Sequence, residues 1–221
     1  MKIYVDTADL NKITELEKNL PLGGITMNPS ITAKSGLALS ELVPQIRTVL
    51  GMERLIFAQV IASDAPGMIE EAKHLSALDD NIVIKIPVTT EGLKAIKALK
   101  DSNVRTLGTA VYNVTQGLLA ALAGAEYVAP YFNRIDALSG NGLETVKSLV
   151  SILEMHAPHC KVFGASYKNN QQFIDSLLAG CECVTLSTEL AEKLLDNPSV
   201  DAAVGQFQHD WQAAYGSLEV S

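Results

Sequence analysis

The chain has 221 residues, 48% of them hydrophobic, which suits one large core in a domain of α/β-barrel size. A formal net charge of −8 excludes the broad basic face that nucleic acid requires, so an anionic ligand must find local positive charge. The three cysteines, Cys160, Cys181 and Cys183, form neither a C-x-x-C pair nor a disulfide framework and read as reduced thiols of a cytoplasmic protein.

The first apolar, β-branched run, residues 3–5, is predicted as a strand and leads into Asp6 and Thr7. No long apolar segment precedes it, so no signal peptide is expected, and no stretch approaches the roughly 20 residues of a membrane span. Asp9 then reads as the N-cap of a helix over 9–20. A strand over 24–27 carries Thr26, with Asn28 just beyond, and a helix over 40–50 follows. The third strand, 55–61, carries Gln59 late and precedes a helix over 65–78. The fourth, 82–88, carries Lys85 late and precedes a helix over 91–100. Thr109 lies on the fifth, 104–111, before a helix over 115–123. The sixth, 127–131, ends on Tyr131, with Arg134 shortly after and a helix over 141–156. Ser166 follows the seventh, 161–165, before a helix over 170–179; the eighth, 183–186, runs into a helix over 188–196.

Most of these strands are continuous apolar runs, as in a parallel sheet buried on both faces. Eight such strand–helix units make either a closed barrel or an open doubly wound sheet. No G-x-G-x-x-G follows the first strand, and polar residues end many strands rather than one switch point. Both features point to a single (β/α)8 TIM barrel over residues 1–221, whose strand ends converge on one mouth. An extra C-terminal helix over 198–216 carries Val200, Ala203, Val204, Phe207 and Trp211 at helical spacing. This stripe docks either on its own barrel or on a neighbouring subunit.

Lys85 stands inside the apolar strand NIVIKIPV. Either its ammonium snorkels to water, or it sits in a poorly solvated cavity that lowers its pKa and frees a nucleophilic amine. A neutral amine condenses with a ketone to an iminium, the electron sink for carbon–carbon cleavage. That chemistry also needs proton shuttles. Asp6, Tyr131 and a water held by Gln59 and Thr109 have the right functional groups. Each has a bland alternative: a helix-cap partner, a core tyrosine, a buried amide. Arg134 offers a bidentate phosphate grip or an ion pair with Asp136, and Ser166 lies where barrels often bind phosphate. The histidines, His74, His156, His159 and His209, fall on helices or helix ends, so neither a metal site nor a cofactor is expected.

The segments YVDTAD, GGITMNPSI, FAQV, IVIKIPVTTEGLKAIK, TLGTAVY, AGAEYVAPYFNRIDA, LLAGCECVTL and VDAAVGQFQHDW span nearly the whole chain. With them the sequence resembles the transaldolase family, most closely its small bacterial branch of fructose-6-phosphate aldolases. The resemblance implies a barrel in which Lys85 forms the Schiff base, and it makes Tyr131 the general acid/base. Asp6 would orient substrate hydroxyls with Thr26 and Asn28 beside it. Gln59 and Thr109 would hold a water, and Arg134 and Ser166 would grip phosphate. It implies reversible cleavage of fructose 6-phosphate to dihydroxyacetone and glyceraldehyde 3-phosphate. A homo-decamer of two pentamers is implied too, the last helix reaching a neighbour. Transaldolases usually carry glutamate at Gln59 and phenylalanine at Tyr131, so both residues follow the aldolase pattern. Transfer of dihydroxyacetone between sugar phosphates and a non-catalytic sugar-phosphate-binding barrel are the rival readings. Phe132, Asn133 and Phe163 are read as pocket variations.

Overall fold

The computed structural model describes residues 1–220; Ser221, the last residue of the expected domain, lies outside them. Eight parallel strands close into a barrel in chain order. They are β1 (Lys2–Asp6), β2 (Leu22–Thr26), β3 (Leu55–Gln59), β4 (Ile82–Pro87), β5 (Thr106–Val111), β6 (Tyr127–Pro130), β7 (Lys161–Gly164) and β8 (Cys183–Ser187). β1 completes the ring, setting Asp6 opposite Thr26 of β2 on one side and opposite Ser187 of β8 on the other.

The helices are α1 (Leu10–Glu17), α2 (Pro29–Ser35), α3 (Leu39–Leu50), α4 (Ala65–Ser76), α5 (Thr90–Leu99), α6 (Val114–Ala123), α7 (Phe132–Ala137), α8 (Gly142–His156), α9 (Asn170–Leu178), α10 (Thr188–Leu195) and α11 (Pro198–Tyr215). Short polar residues begin most of them. Asp9, Asn28, Asp64, Thr89, Asn113, Asn141, Asn169 and Ser187 each accept a hydrogen bond from an orphan backbone N–H of the first turn. These caps set each helix's point of departure from its strand, and so fix the rim of the mouth.

Two cores result. A large shell lies between strands and helices, built from residues such as Val5, Ile25, Ile56, Ile84 and Leu149. A smaller one fills the barrel interior with Tyr4, Phe57, Val83, Leu107, Tyr127 and Phe163. Their rings interlock: the centroids of Tyr4 and Phe57 both lie 4.8 Å from that of Phe163. The barrel therefore has a solid aromatic floor. The three cysteines are buried and unpaired. Among the described residues no helix is long and apolar enough to cross a membrane.

The structure adds two helices to the predicted set, α2 and α7. α2 buries no residue, so it has no apolar period to read, although Asn28 and Pro29 form an ordinary N-cap and first turn. α7 is a single short insertion after β6. The third strand is shorter than the predicted 55–61. It ends at Gln59, after which the Ile61 N–H donates to the Glu71 carboxylate at 2.7 Å and the Ile61 side chain is exposed. α11 differs most from an ordinary barrel helix. None of its residues is buried, and Phe207 is 69% exposed. Docking onto its own barrel, one of the two placements left open by the sequence, does not occur.

Candidate active site

The pleat decides which side chains line the mouth. Tyr4, Phe57, Val83, Leu107, Ala129 and Cys183 belong to the interior core. Two residues further along the same strands, and so on the same face, stand Asp6, Gln59, Lys85, Thr109, Tyr131 and Thr185. Each of these six strands thus delivers an apolar residue to the floor and a polar one above it.

Lys85 is 7% exposed, opposite Gln59 on β3 and Leu107 on β5. Its amine points into the barrel and does not snorkel. Burial pushes its pKa below the ordinary lysine range, and the nearby negative charge of Asp6 opposes that shift. It makes no ion pair among the described residues. Asp6 instead accepts a hydrogen bond of 2.7 Å from the Thr26 hydroxyl, and the cap of α1 falls to Asp9.

Across the mouth, the hydroxyls of Tyr131 and Thr109 lie 3.0 Å apart. Gln59 presents a buried Oε1 that finds no partner among the described residues. Such an acceptor is costly to bury unless a ligand or water meets it. A bulge shapes the Thr109 segment. Ala110 adopts a left-handed φ of 56°, and pairing with β6 slips between Gly108 and Val111. Thr109 keeps its inward face while Val111 turns out to the helix shell.

Arg134, on α7, stacks its guanidinium 4.8 Å from the Tyr131 ring centroid and reaches to 3.5 Å from the Tyr112 hydroxyl. The alternative ion pair with Asp136 is absent: that carboxylate accepts from the Gly142 N–H at 2.8 Å and from Gln172 at 3.0 Å. The exposed guanidinium is therefore available at the mouth. Ser166 follows β7 with a left-handed φ of 63°. Asn28 flanks the group; its Oδ1 caps α2 through the Ile31 N–H at 3.1 Å, and its amide nitrogen makes no hydrogen bond among the described residues. Beyond Asp6 the mouth continues into a groove of about 730 Å³ lined by Thr7, Lys12, Lys34, Ser187 and Glu189 among others.

Two pocket expectations are corrected. Phe163 is 1% exposed and lies in the aromatic floor; Phe132 packs into the outer shell, its ring 6.0 Å from that of Tyr167. Asn133 is half-buried on α7; its side chain accepts from Gln172 at 3.3 Å and its N–H donates to the Ser166 carbonyl at 3.0 Å. Sequence reasoning also missed three residues. Thr185 meets the Thr26 hydroxyl at 2.8 Å, and its two-residue offset from Cys183 on β8 was the available signal. Tyr112 packs edge-on against Tyr131, centroids 5.7 Å apart. Tyr167 is buried behind Gly164, where a Cβ would overlap its hydroxyl; nothing in the sequence marks that pair.

Residues 3–218 match the sequence model of a family described as Transaldolase/Fructose-6-phosphate aldolase. The chain belongs to this family. Solved structures share the fold at low identity. An L230A mutant flavocytochrome b2 with benzoylformate aligns with a TM-score of 0.62 at 12% identity, over 85% of this chain and 57% of that one. The native KDPGal structure gives 0.59 at 13%, over 84% and 82%. A cube-shaped porous protein cage designed by fusing symmetric oligomeric domains gives 0.61 at 13%, over 97% and 78%. The chain thus spans little more than half the length of the flavocytochrome chain it matches.

The buried amine has a thermodynamic signature. Between its folded pKa and the ordinary lysine value of about 10.4, the unfolded chain binds the extra proton, so stability rises with pH across that window. The penalty is full below the window and gone above it. Lys85→Met should therefore raise Tm near pH 7, by about 2–4 °C for each kcal/mol relieved, and the gain should shrink toward pH 10. Differential scanning calorimetry at the two pH values checks this; equal Tm for both proteins at both values would mean a solvated ammonium.

Proposed function

We propose that this protein is a cofactor-free class I aldolase that reversibly cleaves D-fructose 6-phosphate to dihydroxyacetone and D-glyceraldehyde 3-phosphate. The observation that carries the reading is the unpaired amine of Lys85, buried inside the barrel mouth with its pKa lowered. A lysine in that setting is a nucleophile at neutral pH, and the iminium it forms is itself the electron sink.

In this reading the Lys85 amine adds to the ketone carbon, and the Tyr131 hydroxyl protonates the departing hydroxyl, which leaves as water. The resulting phenolate takes the proton from the hydroxyl on the far carbon of the scissile bond. That bond breaks, its electrons pass to the iminium nitrogen, and the aldehyde departs. The enamine left on Lys85 takes a proton back at carbon, and water hydrolyses the iminium to free dihydroxyacetone. Gln59 and Thr109 hold that water, supported by the orphan Oε1 of Gln59 and the 3.0 Å pairing of Thr109 with Tyr131. Asp6 orients the donor hydroxyls, with Thr26 and Asn28 beside it. Arg134 and Ser166 receive the phosphate. Gln59 and Tyr131 favour an aldolase over a transaldolase, because a phenol beside the enamine supplies the proton that releases it.

Borohydride added with dihydroxyacetone should leave a covalent adduct that maps to Lys85 and is lost in Lys85→Ala. Fructose 6-phosphate alone should then yield glyceraldehyde 3-phosphate. Product only on addition of erythrose 4-phosphate would make the protein a transaldolase, and no adduct at all would leave a sugar-phosphate-binding barrel.

Arg134→Ala should raise KM for phosphorylated substrates about tenfold, a loss of about 1.4 kcal/mol, with a smaller change in kcat. Steady-state kinetics check it, and an unchanged KM would place the phosphate elsewhere.

We infer further that α11 packs on another copy in a cytoplasmic homo-decamer of two pentamers. An exposed 18-residue helix is marginal without tertiary support, and its apolar stripe has none within its own chain. Truncation after Asn197 should shift the mass in analytical ultracentrifugation from decamer to a smaller species; an unshifted mass would sink the inference.

A further inference from the structure

Thr185 has no role in the chemistry above, yet it touches the group that tethers Asp6. Thr26 faces Asp6 from β2, whereas Thr185 faces Tyr4 from β8, so β1 runs between them. Their hydroxyls nevertheless meet at 2.8 Å, with Thr26 1% and Thr185 8% exposed. We propose that Thr185 is a positioning residue that fixes the Asp6 carboxylate through the Thr26 hydroxyl. The inference rests on the aldolase reading of the site.

The proton count sets the direction of the chain. A hydroxyl has one proton to donate, and an ionised carboxylate only accepts. Thr26 therefore gives its proton to Asp6 Oδ1, in the 2.7 Å bond. Its oxygen must then accept in the bond to Thr185, and Thr185 is the donor. The result is a one-way relay, Thr185 to Thr26 to Asp6, in which each hydrogen bond polarises the next. The relay pins Oδ1 and leaves Oδ2 without a partner among the described residues. A carboxylate held by one oxygen presents the other in a fixed direction. In the proposed reaction that direction decides which donor hydroxyl it meets. A purely structural pair of buried threonines would satisfy each other as well, but its loss would lower stability without touching turnover.

The test compares Thr185→Val, which keeps the shape and removes the hydroxyl, with Thr185→Ser, which keeps the hydroxyl. Thr185→Ala takes the place of the valine variant if that protein does not fold. In fructose 6-phosphate cleavage the hydroxyl-free variant should lose about tenfold in kcat with KM within about twofold, while serine stays within about threefold of wild type. Crystal structures of the same proteins should show the Asp6 carboxylate rotated or split between rotamers in the hydroxyl-free variant only. Wild-type kcat without the hydroxyl, an equal loss in serine, or an unmoved Asp6 overturns the proposal. Borohydride trapping of dihydroxyacetone on Lys85 in the wild type tests the aldolase reading separately. If that trap fails, the Asp6 rotamer still decides the relay.

Discussion

The proposed aldolase chemistry depends on keeping one amine dry without giving it a counter-ion. Burial alone drives Lys85 toward neutrality, while every nearby carboxylate pulls it back. Among the described residues, the carboxylate charge that acts on its pKa is that of Asp6. A direct ion pair would leave an ammonium with no lone pair to attack a carbonyl. The Thr26 hydroxyl answers this conflict by bonding Asp6 from β2, the strand next to β1 and two strands from β4. The carboxylate stays in the mouth, where its charge is felt, but its nearest bond is to the wall it grows from.

A polarity gradient along the barrel axis makes this arrangement possible. The same strand carries Tyr4 and then Asp6, Phe57 and then Gln59, Val83 and then Lys85, Leu107 and then Thr109. The interlocked aromatics close the bottom of the barrel beneath the amine. Because side-chain period and strand register are locked together, slipping any strand by one residue would bury its polar group in the outer shell. The packing of the floor and the chemistry of the mouth therefore share one set of constraints.

That coupling also explains what could be read in advance. β4 was legible because NIVIKIPV is apolar on both faces, and Lys85 stood out as the one residue that violated the pattern. Asp6, Gln59, Thr109 and Tyr131 were legible by the same logic, as polar ends of apolar runs. Thr185 was not, because threonine is an ordinary strand residue and draws no notice in CVTLS. Phe163 was misread because an aromatic near a strand end fits a pocket and a floor equally well. Only the pleat, counted from neighbouring strands, tells them apart. The bare exposure of α11 was left open by its stripe, since apolar spacing says that a face is buried somewhere but not against what.

The Arg134–Ser166 end of the mouth follows a different rule, and this is why its residues gave weak signals. Gln59 and Lys85 arrive on strands in regular register, but around β6 the backbone departs from the pleat. Ala110 and Ser166, neither of them glycine, hold left-handed conformations that each cost about 1–3 kcal/mol. They flank Tyr131, whose N–H donates to the Val111 carbonyl at 3.0 Å, while the Phe132 N–H donates to the Ala165 carbonyl at 3.0 Å. The strained segments on β5 and just after β7 thus clamp the start of α7 from both sides. α7 in turn swings Arg134 back over the Tyr131 ring. On the β7 side, Tyr167 fills the space that the missing side chain of Gly164 leaves, and the chain between them has to turn at Ser166. Backbone strain of this kind persists only where surrounding packing over-determines it. The placement of Arg134 and Ser166 is therefore a property of the packing around them, which no local pattern in YFNRID or GASYK encodes.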